Sequence, residues 1–490
     1  MNKKKFVLIM VLSACLGAVI TFAGISVFSS GLLTDNNQGS VAGSDSGLSL
    51  GAQQGEEVSS GEMEKVANAF SVIKQNYVEG AEDDQLIEGA IQGMLESLDD
   101  PHSVYMDQET MEQFNEQIES SFEGIGTEVS MQDGKVTIIA PIKDTPAEKE
   151  GLRPNDQILA VDGESIEGLD LYEAVNKIRG EKGTEVVLDI QRPGVEETLE
   201  VEITRDSIPI ETVYSETEEV DGKLIGVLQL TSFAEDTAAD IEQELTNLED
   251  QGIEGLVIDV RGNPGGLLPA VQDILKQFIP EDKPYMQTED PTGKKTRYFS
   301  DTDEVKDYPI VTLINEGSAS ASEILASALN ETQGYDIVGE TSFGKGTVQQ
   351  TVSMGDGSTI KITTLKWLTP DGNSINEVGV EPTIEQKMPD YYYTSPIQID
   401  QPLSFDQSDS KIANAQTMLD GLGYSPGRTD GYFNEETQQA VESFQSDHDL
   451  SANGEINEET AEVLQTEIIE HVREGEDDLQ LEKALEAVTQ

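Results

Sequence analysis

The sequence predicts a multidomain α+β chain standing behind an N-terminal transmembrane helix. Three observations carry that reading. The chain has 490 residues, room for about three domains at roughly 150 residues each. Residues 6–28 carry no charged side chain. Beyond them, short strand-like runs alternate with amphipathic helical stretches.

Composition excludes several classes. There are 95 acidic against 30 basic side chains, a net charge of −65. Nucleic-acid binding rests on Lys and Arg neutralising phosphates, so no nucleic-acid partner is expected. The same balance opposes docking on an anionic membrane surface. A hydrophobic content of 36% is too high for a wholly disordered acidic chain. An acidic excess spread along the whole chain is expected of adaptation to high salt, where screening tolerates it. The single cysteine, Cys15, excludes an intramolecular disulfide and any CxxC site. His102, His448 and His471 are the only histidines and form no HExxH, so neither a metal nor another cofactor is expected.

Lys3, Lys4 and Lys5 precede the apolar run, which at 1.5 Å per residue spans about 34 Å, enough to cross a bilayer. The lysines hold the N-terminus inside, leaving a single-pass membrane protein whose remainder is extracytoplasmic. Leu12-Ser13-Ala14-Cys15 also fits a lipoprotein cleavage box, but apolar residues continue to Phe28, which favours an uncleaved anchor. Residues 34–58, rich in Gly, Ser, Asn and Gln, read as a linker. Residues 60–120 read as helical: Val66, Phe70, Ile73 and Tyr77, then Ile87, Ile91, Met94 and Leu95, recur at helical spacing, with a break at Asp99-Asp100-Pro101. Such helices are packing material, and a homodimer is expected.

Residues 122–208 turn to short strands at 135–139, 157–161, 185–190 and 198–203, with one helix over 169–179. The run Gly151-Leu-Arg-Pro-Asn-Asp-Gln-Ile-Leu159, followed by Val161-Asp-Gly163, resembles a PDZ domain of the bacterial protease type. Phe122-Glu-Gly124-Ile125-Gly126 lies where such domains place the loop that binds a terminal carboxylate; glycines let backbone N–H groups converge there, and the next strand pairs with the incoming peptide. Leu171, Val175 and Ile178 would line the groove on the helix side, unless they and the glycines serve only core and turn. Arg179, ending that helix, is either a solvated charge at a helix C-terminus or, by resemblance, the residue coupling peptide binding to assembly of the active site.

In residues 210–390 two strand–turn–helix units stand out. A buried strand over 255–260 leads through Arg261-Gly-Asn-Pro-Gly265-Gly266 to a helix over 267–278. A strand over 309–314 leads through 315–317 to a helix of small residues over 318–329. This is an α/β domain with its sites at the strand ends. No histidine lies between 102 and 448, so a Ser/His/Asp triad is excluded there, and what remains is a hydroxyl activated by lysine. Gly317-Ser318-Ala-Ser320-Ala321-Ser322-Glu323 puts three hydroxyls at a helix start, where they are either caps or sit beside an oxyanion site. Lys345 lies in a fifteen-residue stretch, 341–355, without one carboxylate, which permits the neutral amine a base requires; a surface lysine is the other reading. Gly339-x4-Gly344-Lys345 nearly matches a phosphate loop, but Gly346 stands where Ser or Thr is needed and a strand follows, so nucleotide binding is rejected.

Together, Gly317–Glu323 and Phe343-Gly-Lys345-Gly-Thr-Val-Gln349-Gln350 resemble the carboxy-terminal processing proteases, a tail-specific family of Ser/Lys peptidases. The resemblance implies a crotonase-like α/β fold, Ser320 as nucleophile, Lys345 as its base and Gln349 as the residue orienting the lysine. It also implies an oxyanion hole from the N–H of Ala321 and one of Gly265 or Gly266. The substrates implied are proteins or peptides with free C-termini. Finally, Ile412-x2-Ala415-Gln416-x2-Leu419-x2-Leu422-Gly-Tyr424 with Asp430-Gly-Tyr-Phe433, Ala440-Val-x2-Phe444-Gln445 and Asn453-Gly454 is similar to the three-helix peptidoglycan-binding domain over 407–467, implying peptidoglycan as a partner. Residues 471–490 read as an acidic, frayed tail. The expectation is a membrane-anchored serine endopeptidase at the cell wall; the alternative is a non-catalytic scaffold binding protein tails and glycan.

Overall fold

The computed structural model describes residues 60–490 apart from 133, 196, 303–304, 400 and 476. The expected span 6–28 and linker 34–58 lie outside the described residues, among which no helix is long and apolar enough to cross a membrane. The described residues divide into two compact units, 60–111 with Gln349–Thr363, and Glu112–Val348 with Thr364–Gln490.

In the smaller unit, helices α1 (Ser60–Asn76) and α2 (Asp83–Glu96) precede strand β1 (Val104–Met106). The break at Asp100-Pro101 is a built turn, because the Asp100 carboxylate accepts the Ser103 hydroxyl at 2.6 Å and the His102 N–H at 3.0 Å. β1 then pairs antiparallel with residues 359–361. The apolar stripe of α1 and α2 remains exposed at Val66, Ile73, Tyr77, Ile87 and Met94.

Helix α3 (Gln108–Ile118) carries the chain into the larger unit, where β2 (Ser121–Gly124) opens the next segment. There follow β3 (Thr127–Gln132), β4 (Lys135–Pro141), α4 (Pro146–Lys149), β5 (Gln157–Val161), β6 (Glu164–Ser165), α5 (Leu171–Ile178), β7 (Glu185–Gln191), β8 (Leu199–Thr204) and β9 (Asp206–Pro209). The sheet order is β3-β4-β5-β7-β8, which leaves β3 at an edge, and β2 pairs with β9 to close the segment. Alternation places Val186, Leu188 and Ile190 in the core with Ile138, Ile158 and Ile203. Helix α5 starts where it does because Asp170 and Glu173 form a capping box, each carboxylate accepting the other residue's N–H.

The α/β part runs β10 (Val213–Val220), β11 (Lys223–Leu230), α6 (Thr237–Asp250), β12 (Gly255–Asp259), α7 (Leu268–Leu275), β13 (Pro284–Glu289), β14 (Lys295–Phe299), β15 (Ile310–Ile314), α8 (Ala321–Gln333), β16 (Asp336–Gly339), β17 (Thr347–Ser353), β18 (Thr359–Leu368) and β19 (Ile384–Glu385). Its main sheet has the order β10-β11-β12-β15-β16-β19. β10 is antiparallel to β11, and the rest are parallel. Both faces are covered, so β12 and β15 are buried throughout. On one face Leu228, Ile258 and Ile310 pack with α6, α7 and α8.

Helices α9 (Ser410–Gly421), α10 (Glu435–Asp447) and α11 (Glu458–Glu474) form a separate core around Ile412, Leu419, Phe433, Phe444 and Leu464. Each begins on a short polar cap, Asp409, Asn434 and Asn457. The end of the chain is not the frayed tail expected from its acidity. Leu479–Thr489 is a helix, α12, which covers the second face of the main sheet. Ala484 and Val488 are buried on it against Ile225, Val227, Val257 and Leu313. Gly255 permits the close approach, since a Cβ there would lie 2.9 Å from Val488. The three-helix module is thus inserted between β19 and α12 of the α/β fold.

Candidate active site

The site grows from the ends of β12 and β15. Beyond β15, Ser318 is fully buried and its hydroxyl donates to Val260 O at 2.8 Å, while accepting the N–H of Asn315. This ties the second turn to the first. The Asn315 side-chain oxygen accepts the N–H groups of Gly262 and Gly317. Gly317 must be glycine, because a Cβ there would lie 2.9 Å from Gly262 Cα.

Helix α8 starts one residue after Ser320, whose φ of 54° and ψ of −109° are unusual for a residue with a Cβ. Such a conformation costs about 1–3 kcal/mol and persists only where neighbours impose it. Here Ser320 O accepts the N–H of Ile324 at 2.9 Å, and Ser320 N–H donates to Glu323 Oε2 at 2.7 Å. Glu323 is fully buried. Its carboxylate also accepts the Ser342 hydroxyl and the Gly344 N–H, both at 2.6 Å, and the Lys345 N–H at 2.9 Å. Ser320 and Lys345 therefore donate their backbone N–H groups to one oxygen atom, and their chains lie within two hydrogen-bond lengths of each other. Lys345 is held from its other side as well, its carbonyl accepting the indole N–H of the buried Trp367 at 2.7 Å. Gly344, with φ of 91°, and Gly346 are both pressed against residues 376–379 too closely for a side chain.

The glycine turn is clamped on the same helix start. Asn263, fully buried, donates its amide to Leu230 O and accepts the Gly265 N–H at 2.9 Å. Its carbonyl accepts the Ala319 N–H and the Ser322 hydroxyl. A Cβ on Gly265 would lie 2.8 Å from Ser320 Cβ, and one on Gly266 2.3 Å from Phe233 O. Of the two glycines left open by the sequence, Gly265 thus has its N–H engaged. Among the described residues the N–H groups of Gly266 and Ala321 meet no acceptor. Gln349 belongs to the smaller unit, where its side-chain amide donates to Thr363 Oγ1 at 3.1 Å.

A second feature lies between β3 and α5. A cleft of about 180 Å³ is lined by Phe122, Ile125, Gly126, Thr127, Val129, Val175, Ile178 and Arg179. Gly126, at φ of 81°, has no room for a Cβ beside Thr145. The N–H groups of Ile125 and Gly126 make no hydrogen bond among the described residues. The Arg179 guanidinium stands over the Phe122 ring, 4.9 Å from its centre. Of the groove residues expected, Gly124 is instead paired with Asp206 in the β2–β9 ladder, and Leu171 packs against the core; neither lines the cleft. Phe122 lines it as part of the expected loop, and Thr127 and Val129 line it from the strand that follows the glycines, where no residue was singled out from the sequence. The edge strand carrying Thr127 and Val129 has weak alternation, which hid it. Glu323 was also missed as a site residue, though its place three after a serine at a helix start is a capping-box signal.

A serine on a strained helix start, its backbone joined to that of a lysine through Glu323 and faced by N–H groups without acceptors, has the geometry of a serine-type hydrolase, here beside a peptide-binding module. Comparison with known proteins agrees. Residues 224–386 match Peptidase family S41, 124–203 the PDZ domain, 408–464 the peptidoglycan binding domain, and 14–110 the N-terminal domain of the activating protease CtpB. The chain is 50% identical over 426 residues to the carboxy-terminal processing protease CtpB of Bacillus subtilis, covering 87% of this chain and 89% of that protein. It is 40% identical to CtpA of the same organism, covering 87% and 90%. The chain belongs to peptidase family S41, among the carboxy-terminal processing proteases.

Proposed function

We propose that this is a membrane-anchored, extracytoplasmic endopeptidase that takes hold of substrate C-termini in the cleft between β3 and α5 and cleaves with Ser320 and Lys345. The observation that carries the reading is the shared Glu323 oxygen, which joins the backbone of Ser320 to that of Lys345; the chain around the lysine, 341–355, has no carboxylate of its own. In the reaction, neutral Lys345 takes the proton of Ser320 Oγ as that oxygen attacks the scissile carbonyl. The N–H groups of Ala321 and Gly266, both without acceptors, receive the developing oxyanion. The lysine returns its proton to the leaving amine, and water then attacks the acyl-enzyme with Lys345 again as base. Gln349, four residues along, orients the lysine amine.

At the cleft, a terminal carboxylate meets the N–H groups of Ile125 and Gly126, while the peptide extends β3 from its free edge. Arg179, stacked on Phe122, is the side chain through which an occupied cleft reaches the peptidase part. The three-helix module holds peptidoglycan, the exposed apolar stripe of α1 and α2 meets a second copy, and residues 6–28 provide the anchor on the strength of their sequence.

Casein cleavage by the full chain tests the mechanism. Ser320→Ala and Lys345→Ala are each expected to reduce kcat by at least about 10³-fold. Variants as active as the wild type would leave only a scaffold that binds tails and glycan.

A further inference from the structure

We propose that Asp478, the N-cap of the closing helix α12, is a positioning residue that fixes the oxyanion turn through Arg261. The inference rests on the Ser320 mechanism above. The turn 261–266 holds three glycines at positive φ, Gly262, Gly265 and Gly266. Such a backbone has little order of its own and must be held from outside. Its middle is held by Asn263 and its far end by Phe233, which pairs with Gly265 and Leu267. At its near end the N–H groups of Arg261 and Gly262 donate to Asp259 and Asn315, and the Arg261 side chain is anchored in addition by the last helix.

The Arg261 side chain is 7% exposed. Nε and Nη2 donate to the Asp259 carboxylate at the end of β12. Nη1 and Nη2 donate to the two oxygens of Asp478 at 2.8 and 2.9 Å, and Nη1 also reaches Gln480 Oε1 at 3.2 Å. The planar fork is thus fixed in a single orientation by two carboxylates from segments more than two hundred residues apart. Asp478 is at the same time the N-cap of α12, its Oδ1 accepting the Leu481 N–H at 2.9 Å. Gln480, 1% exposed, donates to Gln386 O just after β19. Helix docking and the orientation of the turn are one structure.

The test uses the full chain. Asp478→Asn keeps a good helix cap while removing the carboxylate charge opposite Arg261 and replacing one of its two acceptors by a donor. It is expected to lower kcat by about 10–100-fold with little change in KM, because displacement of a catalytic donor by about 1 Å costs on that order. The rate of Ser320 labelling by an organofluorophosphate, which also needs the oxyanion donors, falls in parallel. Val488→Ala loosens the same helix at its far end, against Gly255, and should lower the melting temperature while sparing kcat and labelling. Should Asp478→Asn not fold, Asp478→Glu, which keeps the charge but displaces it, is expected to lose kcat in smaller measure. An Asp478 variant within twofold of wild-type kcat while Ser320→Ala is inactive overturns this inference alone. Equal kcat losses in Asp478→Asn and Val488→Ala overturn it as well, since the helix would then serve stability only. An active Ser320→Ala protein overturns the underlying mechanism and this inference with it.

Discussion

Glu323 shows how much of a peptidase site can be backbone held by one side chain. Its two oxygens accept four hydrogen bonds, from Ser320, Ser342, Gly344 and Lys345, and no water reaches it. Glu323→Gln removes the charge and turns one acceptor into a donor facing N–H groups. The expected cost is about 2–3 kcal/mol of stability, the scale for hydrogen bonds to a buried charged group, and at least a tenfold fall in kcat. Thermal melts and casein kinetics check both; a protein unchanged in either would show that the carboxylate is incidental. At this scale the sequence was legible where chemistry restricts residue choice. Without usable histidine or cysteine, chemistry leaves Ser320 and Lys345 as the candidates, and Glu323 brings their backbones together. It was silent on the choice between Gly265 and Gly266, because both fit the turn and only the Asn263 hydrogen bond separates them.

Among elements, α12 was misread. Acidity drew attention away from Leu481, Ala484, Leu485 and Val488, whose spacing marks one apolar helical face behind an Asp cap. That the face had a partner could not be read locally, since the sheet it covers is built from residues 223–339. Two central strands of that sheet, β12 and β15, by contrast, were legible as continuous apolar runs. The docking of α12 also has a pH dependence. Burial alone would raise the Asp478 carboxyl, but Arg261 and the N-cap hydrogen bonds outweigh it and hold the group below its ordinary range. Arg261 in turn is disfavoured by burial yet kept charged by Asp259 and Asp478. A carboxyl lowered by folding stabilises fully above its unfolded value, about 3.9, and that contribution is lost as pH falls through the folded value. Wild-type stability should therefore fall more steeply below about pH 4 than that of Asp478→Asn, which lacks the titrating group. Chemical denaturation between pH 3 and 6 measures the difference, and superimposable curves would remove Asp478 from the account.

Over the whole molecule the acidic excess dominates. A net charge of −65 implies strong self-repulsion in the compact state, which salt screens over a Debye length of about 10 Å at 0.1 M and about 3 Å at 1 M. The melting temperature is expected to rise steadily between 0.05 and 1 M NaCl. Greatest stability in dilute buffer would count against salt adaptation. The domain order was legible because each module has its own periodicity and turn motifs. The return of the chain to the peptidase after the three-helix module was not, because it depends on contacts between distant segments.

That return has a last consequence. One face of the sheet that carries both turns of the site is finished only when residues from beyond the three-helix module come back to it, with Lys223 donating to the carbonyl of Thr489. A cut anywhere in the intervening module would turn α12 from a covalently tethered cover into a loose one, so damage far along the chain would be felt at the strand ends.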